Sequence, residues 1–276
     1  MNFSNFMKVK KQKTPIVIVS LTTIPERLND THYGENGIYS CIMSLHNQNY
    51  DNFEIHFNIP MVYKLHNTEY TIPDWLSELK NVKIFRVDDE GPVTKILPTI
   101  RRITNKNTII IVVDDDQRYH PDMIKEHVKN QTKYNNCAIG YDALDVVDGP
   151  IFNDIRDHFV SMVPEYTRVK VLQHYKSVSY KRGFFKKDLF TNFVGKTMSD
   201  DVLLSAYLGS KNIHKLVASY DDDPTYSTIE EWQSLVGMSF PIIGKITHDP
   251  GQGCSDPSHV RFFVPSEFDQ LGYMNR

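Results

Sequence analysis

Apolar residues along the chain form short β-branched runs, separated by longer segments whose apolar positions lie three and four residues apart. Continuous apolar runs are typical of strands buried on both faces of a parallel sheet. The run at 108–113, Thr-Ile-Ile-Ile-Val-Val, is the strongest of them. The 3.6-residue spacing predicts amphipathic helices between the runs. Strands are predicted over residues 16–20, 53–59, 82–87 and 108–113, and helices over 36–47, 73–79, 121–129 and a segment that Thr94 opens.

The order of these elements over the first 130 residues predicts the fold class. Strands that alternate with amphipathic helices indicate an α/β fold, with a mostly parallel central sheet flanked by helices. The second half is less regular, with strand patterns at 138–141 and 169–172 and a helical pattern at 198–208. No linker divides the chain, so we expect one domain over residues 14–276 after a flexible basic tail at 1–13.

Composition and charge exclude several classes of protein. A net charge of −3 provides no overall basic field for nucleic acid. Three cysteines without a Cys-x-x-Cys pair indicate neither a zinc ribbon nor a disulfide framework. No apolar run is long enough for a membrane span. We therefore expect a soluble, cytoplasmic protein that does not bind nucleic acid.

Three adjacent carboxylates, Asp114, Asp115 and Asp116, directly follow the strongest predicted strand. Close like charges raise one another's pKa, so a nearby cation favours their ionised form. Mg²⁺ and Mn²⁺ prefer carboxylate oxygens, and alternate residues of an extended chain point the same way. The Asp114/Asp116 pair therefore predicts a metal–diphosphate clamp. The alternative is a solvated acidic loop.

Two further polar clusters follow predicted strands, at residues 22–27 and 88–95. Ligands of open parallel sheets bind outside the carboxyl ends of the strands. Lys95 follows a Gly-Pro turn and falls in the first turn of a predicted helix, where a cation is unfavourable against the helix dipole. This position suits a phosphate contact, and the alternative is an ordinary surface lysine.

Four motifs in this order resemble the GT-A glycosyltransferases, and among them a group of small single-domain members. The motifs are VSLTTIPERL, GPVTKILP, IIVVDDDQRYHP and SDDVLLSAYL, and the resemblance covers about residues 14–210. It implies a GT-A (Rossmann-like) fold, with a nucleotide-sugar-binding half at 14–130 and an acceptor-binding half at 131–276. It also implies UDP-sugar as the donor and a glycan or glycoprotein as the acceptor.

The resemblance implies contacts to the nucleotide from the residues that follow the first and third predicted strands. Thr22, Thr23 and Arg27 would lie beside the nucleotide. Asp88 or Asp89 would face the base.

The resemblance also implies a metal site next to the diphosphate. Asp114 and Asp116 match the family's Asp-x-Asp motif, with Asp116 as the more direct ligand of Mn²⁺ or Mg²⁺ and Asp115 among the donor-binding residues. Lys95 would approach the diphosphate. A late histidine often completes this site in the family, and His248 is the candidate here, the alternative being a loop histidine without a ligand.

An acidic pair at the start of the 198–208 helix suits the role of general base. Attack by an acceptor hydroxyl requires loss of its proton, which one carboxylate can accept, giving inversion in a single displacement. The resemblance implies that such a pair holds the base, with Asp201 as the first candidate and Asp200 as the second. The alternative is that the sequence Ser199-Asp200-Asp201 only caps the helix, and both roles are compatible.

The expected function is thus metal-dependent, inverting transfer of a sugar to a hydroxyl. A sugar-phosphate nucleotidyltransferase is one alternative, but its glycine-rich phosphate loop is missing from this sequence. The other alternative is a non-catalytic carbohydrate-binding protein on a degenerate transferase fold. The Asp-x-Asp pair argues against that alternative because a degenerate fold would lose its metal ligands.

Overall fold

The computed structural model describes residues 16–29, 38–146, 152–154, 167–168, 171–194 and 199–217. The apolar runs of the sequence form its strands, and the amphipathic segments form its helices. The strands are β1 (Val17–Leu21), β2 (Phe53–Pro60), β3 (Val62–Tyr63), β4 (Thr68–Glu69), β5 (Val82–Val87), β6 (Ile109–Val112), β7 (Cys137–Gly140), β8 (Ala143–Val146), β9 (Phe152–Asp154), β10 (Thr167–Arg168), β11 (Val171–Leu172), β12 (Val178–Lys181) and β13 (His214–Val217). The helices are α1 (Pro25–Asn29), α2 (Ile38–His46), α3 (Asp74–Glu78), α4 (Leu97–Arg102), α5 (Met123–Lys133) and α6 (Asp200–Ser210).

Eight strands form the central sheet in the order β10-β13-β7-β12-β6-β1-β2-β5. Strand β1 is parallel to β2 and β6, β2 is parallel to β5, and β7 is parallel to β13. Strand β12 runs antiparallel between β6 and β7, and β10 is antiparallel to β13. The mostly parallel α/β sheet predicted from the sequence is confirmed.

Helices cover both faces of this sheet, which explains why the central strands are apolar without alternation. On β6, Ile109 and Ile111 belong to one core with α2, whereas Ile110 and Val112 belong to a second core with α4 and α6. A strand buried on both faces needs apolar residues at every position. The carboxyl ends of β1 and β6 therefore emerge between two packed layers.

The segment predicted as one helix from Thr94 is divided in the structure. A 3₁₀ turn spans Val93–Lys95, and α4 begins two residues later with Pro98 in its first turn. Proline has no backbone N–H to donate, so it is tolerated only at the start of a helix. Lys95 is therefore not in the first turn of an α-helix, and the side-chain Oγ of Ser20 and Nδ2 of Asn58 instead hold its carbonyl at 2.5 and 3.2 Å.

Several short elements of the described chain were not predicted. They are helix α1 and the strands β3, β4, β8, β9, β10, β12 and β13. Among the described residues no helix is long and apolar enough to cross a bilayer. The basic tail at 1–13 lies outside the described residues, as does His248.

Candidate active site

The acidic triplet lies directly after β6, at the carboxyl end of the parallel strands. Exposure alternates along it, with the side chains of Asp114 and Asp116 28% and 33% exposed and that of Asp115 only 9% exposed. This is the alternation expected of an extended backbone. The structure therefore leaves the two outer carboxylates partly open to a ligand and turns the middle one inward.

Residues that follow β1 bind the inward carboxylate. Thr23 Oγ1 donates to Asp115 Oδ2 at 2.5 Å, and Arg27 Nη1, on α1, pairs with Asp115 Oδ1. The other nitrogen, Arg27 Nη2, lies 3.2 Å from Asp116 Oδ2. Although burial opposes its charge, the neighbouring carboxylates Asp115 and Asp116 hold the pKa of Arg27 above its ordinary value. Asp115 thus anchors the triplet to the segment after β1.

Lys95 connects the triplet to the start of α6. Its Nζ lies 2.5 Å from Asp114 Oδ1 and 2.9 Å from Asp200 Oδ2. Burial opposes the charge of this amine, but the carboxylates around it keep its pKa well above the ordinary lysine value. One buried ammonium group therefore lies between two acidic clusters that are about 85 residues apart in the sequence.

A buried histidine completes the second acidic cluster. His174 Nδ1 lies 2.6 Å from Asp200 Oδ2 and 2.5 Å from Asp201 Oδ1, and its Nε2 lies 2.7 Å from the hydroxyl of Tyr180 on β12. The sequence analysis missed His174, since it belongs to no recognisable motif. We refer to Arg27, Lys95, Asp114, Asp115, Asp116, His174, Asp200 and Asp201 together as the Lys95 network.

The charges of this network separate the pKa values of its carboxyl groups. Burial favours the neutral form of Asp200, but Lys95 and His174 outweigh it and hold its pKa below the ordinary value. Burial and the adjacent charge of Asp200 raise the pKa of Asp201. For His174, burial is likewise outweighed by Asp201 and Asp200, and its pKa rises to about 9. Burial, together with Asp115 and Asp114, raises the pKa of Asp116 to about 6.

Besides Thr23, which binds Asp115, three predicted site residues of the described chain lie outside the Lys95 network. Thr22 donates its hydroxyl to the carbonyl of Asn58 at 2.7 Å. Asp89 is buried and accepts hydrogen bonds from the backbone N–H groups of Lys64 and Gly91, so its carboxylate holds the turn after β5. Asp88 lines a cavity beside β5 and α4, together with Lys64, Arg101 and Arg102.

The donor atoms of the network fit a divalent cation at Asp114 and Asp116. The eight members carry five carboxylates against three cationic groups, so two negative charges remain, as many as one Mn²⁺ or Mg²⁺ ion neutralises. Asp114 and Asp116 are the most exposed of the five carboxylates and offer hard oxygen ligands. His174, Asp200 and Asp201 also have metal-ligand spacing, with their ligand atoms within 4.8 Å of one another. That second set already contacts the Lys95 ammonium through Asp200, so an additional cation fits it poorly.

Comparison with known proteins finds likenesses to solved structures. No protein-family model matches the chain, and no curated protein matches it. S. aureus TarS 1–349 is 13% identical with a TM-score of 0.50, and the match covers 75% of this chain and 58% of TarS 1–349. The structure of the same TarS segment in complex with UDP is 12% identical with a TM-score of 0.49, and the match covers 75% of this chain and 58% of that segment. The structure in complex with UDP-GlcNAc is 11% identical with a TM-score of 0.47, and the match covers 75% of this chain and 56% of that segment. The chain thus spans a little over half of that segment, and the likeness to it shows a shared fold.

Proposed function

We propose that this chain is a metal-dependent glycosyltransferase that moves a sugar from a nucleotide-diphosphate donor, a UDP-sugar, to a hydroxyl of a glycan or glycoprotein acceptor. One observation carries the proposal. Lys95 lies between the acidic triplet after β6 and the acidic pair at the start of α6, within 3 Å of a carboxylate of each. The groups to which we assign diphosphate binding and proton acceptance therefore lie side by side. The fold shared with TarS is compatible with this activity.

The leaving group in this reaction is a nucleoside diphosphate, which departs with at least two negative charges. A Mn²⁺ or Mg²⁺ ion held by Asp114 and Asp116 would stabilise that charge as a Lewis acid. Lys95 Nζ, which lies against Asp114, would donate a hydrogen bond to the leaving diphosphate. Arg27 and Thr23 keep the triplet oriented through Asp115, which fixes the directions of its two neighbours.

Asp201 suits the role of general base better than Asp200 does. Asp200 Oδ2 contacts both Lys95 and His174, which stabilise its ionised form and reduce its basicity. Asp201 has the higher pKa, and its contacts within the described residues use Oδ1. In the proposed step, an acceptor oxygen forms a bond to the anomeric carbon while the bond to the diphosphate oxygen breaks. The hydroxyl proton passes to Asp201 Oδ2, and the configuration inverts.

Calorimetry with UDP, followed by a donor hydrolysis assay, tests this proposal. We expect UDP binding with Mn²⁺ that weakens at least about tenfold in EDTA and in Asp116→Asn, because the diphosphate loses its charge partner. Asp201→Asn is expected to bind UDP normally and to lose about 10²- to 10⁴-fold in turnover, the usual contribution of a general base. Asp188→Asn is the matched control, since this carboxylate pairs with Lys211 on the surface.

Two results would refute parts of the proposal. Equal UDP affinity of the wild type with Mn²⁺ and with EDTA would remove the metal clamp. A wild-type protein that binds no nucleotide and hydrolyses none of a panel of nucleotide sugars would remove the transferase activity and favour the non-catalytic alternative.

A further inference from the structure

The segment between β11 and β12 forms a tight turn beside the acidic pair of α6. Residues His174–Lys176 make one 3₁₀ turn, and Ser177 follows it with a φ of 76°. This left-handed conformation is rare for a residue other than glycine and is retained only where surrounding contacts enforce it. The chain here therefore stores conformational strain next to the candidate site.

Contacts from α5 and from the segment after β6 hold this turn in place. Ser177 Oγ lies 2.8 Å from Nε2 of the buried His127 on α5. The hydroxyl of Tyr119 lies 3.3 Å from the carbonyl oxygen of Tyr175 and 3.1 Å from that of Asp114, and it accepts from the backbone N–H of Asp114 at 3.0 Å. The turn is thus tied through Tyr119 to the acidic triplet as well as to α5.

The turn contacts Asp201 through one backbone hydrogen bond and one ion pair, both to the same oxygen. The backbone N–H of His174 donates to Asp201 Oδ1 at 3.0 Å, and the ring Nδ1 of His174 lies 2.5 Å from that oxygen. Asp201 is not needed to cap α6, because Ser199 Oγ accepts from the N–H of Val202. These two contacts hold Oδ1 against the turn and leave Oδ2 as the oxygen that can receive a proton.

We propose that His174 is the positioning residue of the catalytic base Asp201, an inference that rests on the proposed function. His174 donates Nδ1–H to the acidic pair and Nε2–H to the hydroxyl of Tyr180, so both of its ring nitrogens are engaged. Its positive charge stabilises the ionised form of Asp201, and the strained turn sets its ring plane. Lys95 acts on the same pair from the opposite side, through Asp200.

A titration of the resting protein tests the coupling without donor or metal. The full chain, treated with EDTA, is labelled with ¹⁵N, and the His174 ring signals are assigned by comparison with His174→Gln. The charged groups that face this ring are Asp200 and Asp201, with Lys95 beyond Asp200 and the neutral hydroxyl of Tyr180 on the other side. We expect His174 to titrate near pH 9 and, in Asp201→Asn, at least about one pH unit lower, since one carboxylate is lost. An unchanged titration in Asp201→Asn overturns the coupling.

Kinetics of donor hydrolysis test the catalytic consequence. For His174→Gln we expect about a 10- to 100-fold lower kcat with donor KM within about twofold of the wild type, because the donor site is intact and the base is misplaced. The acid limb of the kcat/KM profile should move to higher pH, since Asp201 loses the charge that favours its ionised form. Tyr180→Phe, which keeps the ring, should change both quantities in the same direction but less.

His56→Gln is the matched control, because His56 is also a buried histidine and contacts Glu54 and Arg102 rather than the acidic pair. It should keep the position of the acid limb whatever its effect on stability. An acid limb that stays in place in both His174→Gln and Tyr180→Phe overturns the positioning role. A wild type without any hydrolysis overturns the proposed function, and the titration still decides separately whether His174 and Asp201 are coupled.

Discussion

Replacing Lys95 by methionine removes the cation that joins the two acidic clusters and keeps a side chain of similar length. The ammonium lies 2.5 Å from Asp114 and 2.9 Å from Asp200, and the lysine side chain is only 11% exposed. Removal of one partner from a buried ion pair leaves an uncompensated charge and typically costs about 3–5 kcal/mol. We therefore expect Lys95→Met to reduce the free energy of unfolding by an amount in that range.

A double-mutant cycle with Asp200→Asn isolates the ion pair itself. In the double variant, the amide that replaces the Asp200 carboxylate has no charge that needs the ammonium, so the combined loss should be smaller than the sum of the single losses by about 1–3 kcal/mol. Urea unfolding at pH 7 measures all four proteins. The surface pair Lys211 and Asp188 provides the control cycle, with an expected coupling of at most about 1 kcal/mol. Additive losses within about 0.5 kcal/mol for the Lys95 cycle would refute the description of Lys95 as the link between the clusters.

Three further predictions concern stability. Tyr119→Phe removes the hydroxyl that accepts from the Asp114 N–H and lies within 3.3 Å of the carbonyl oxygens of Asp114 and Tyr175. It should lower the free energy of unfolding in urea by about 1–3 kcal/mol, and an unchanged value would contradict this role. Burial lowers the pKa of His127 to about 3, so the unfolded state binds the proton at a higher pH than the folded state does. The free energy of unfolding should therefore fall as the pH drops from about 6.5 towards 3. His127→Gln should flatten this fall, and an equal dependence on pH in both proteins would contradict the lowered pKa of His127. Gly140→Ala places a Cβ 3.0 Å from Leu172 Cδ2, which is closer than ordinary contact. It should lower the free energy of unfolding by about 1–3 kcal/mol, measured by thermal unfolding. An unchanged Tm would show that the Leu172 side chain moves aside freely.

Local pattern predicted those elements whose stability depends on one continuous apolar face. The strand predicted at 82–87 is observed as Val82–Val87, and the strand predicted at 53–59 extends by one residue, to Pro60. The helix predicted at 36–47 is observed as Ile38–His46, with Cys41, Ile42 and Leu45 buried. In each case neighbours in the sequence carry the whole signal, because periodicity is a property of consecutive side chains.

Elements that depend on distant partners were missed or misplaced. Strand β12 has four residues and exists because it inserts between β6 and β7, which precede it in the chain by about 40 to 70 residues. The segment after Gly91 was predicted as one helix, but Pro98 delays α4, and contacts from Ser20 and Asn58 hold the 3₁₀ turn that contains Lys95.

The order of residues alone was enough to predict the α/β class, the position of the acidic triplet at the end of the most apolar strand, and the acidic pair at the start of a helix. These features are local, because each is a short run of residues on one element. It took the folded chain to show that Lys95 lies between the two clusters, that Asp115 turns inward to Arg27, and that His174 contacts Asp201. Such contacts join residues 19 to 105 positions apart in the chain, and only the packing of β1, β6, β12 and α6 brings their charges within hydrogen-bond distance.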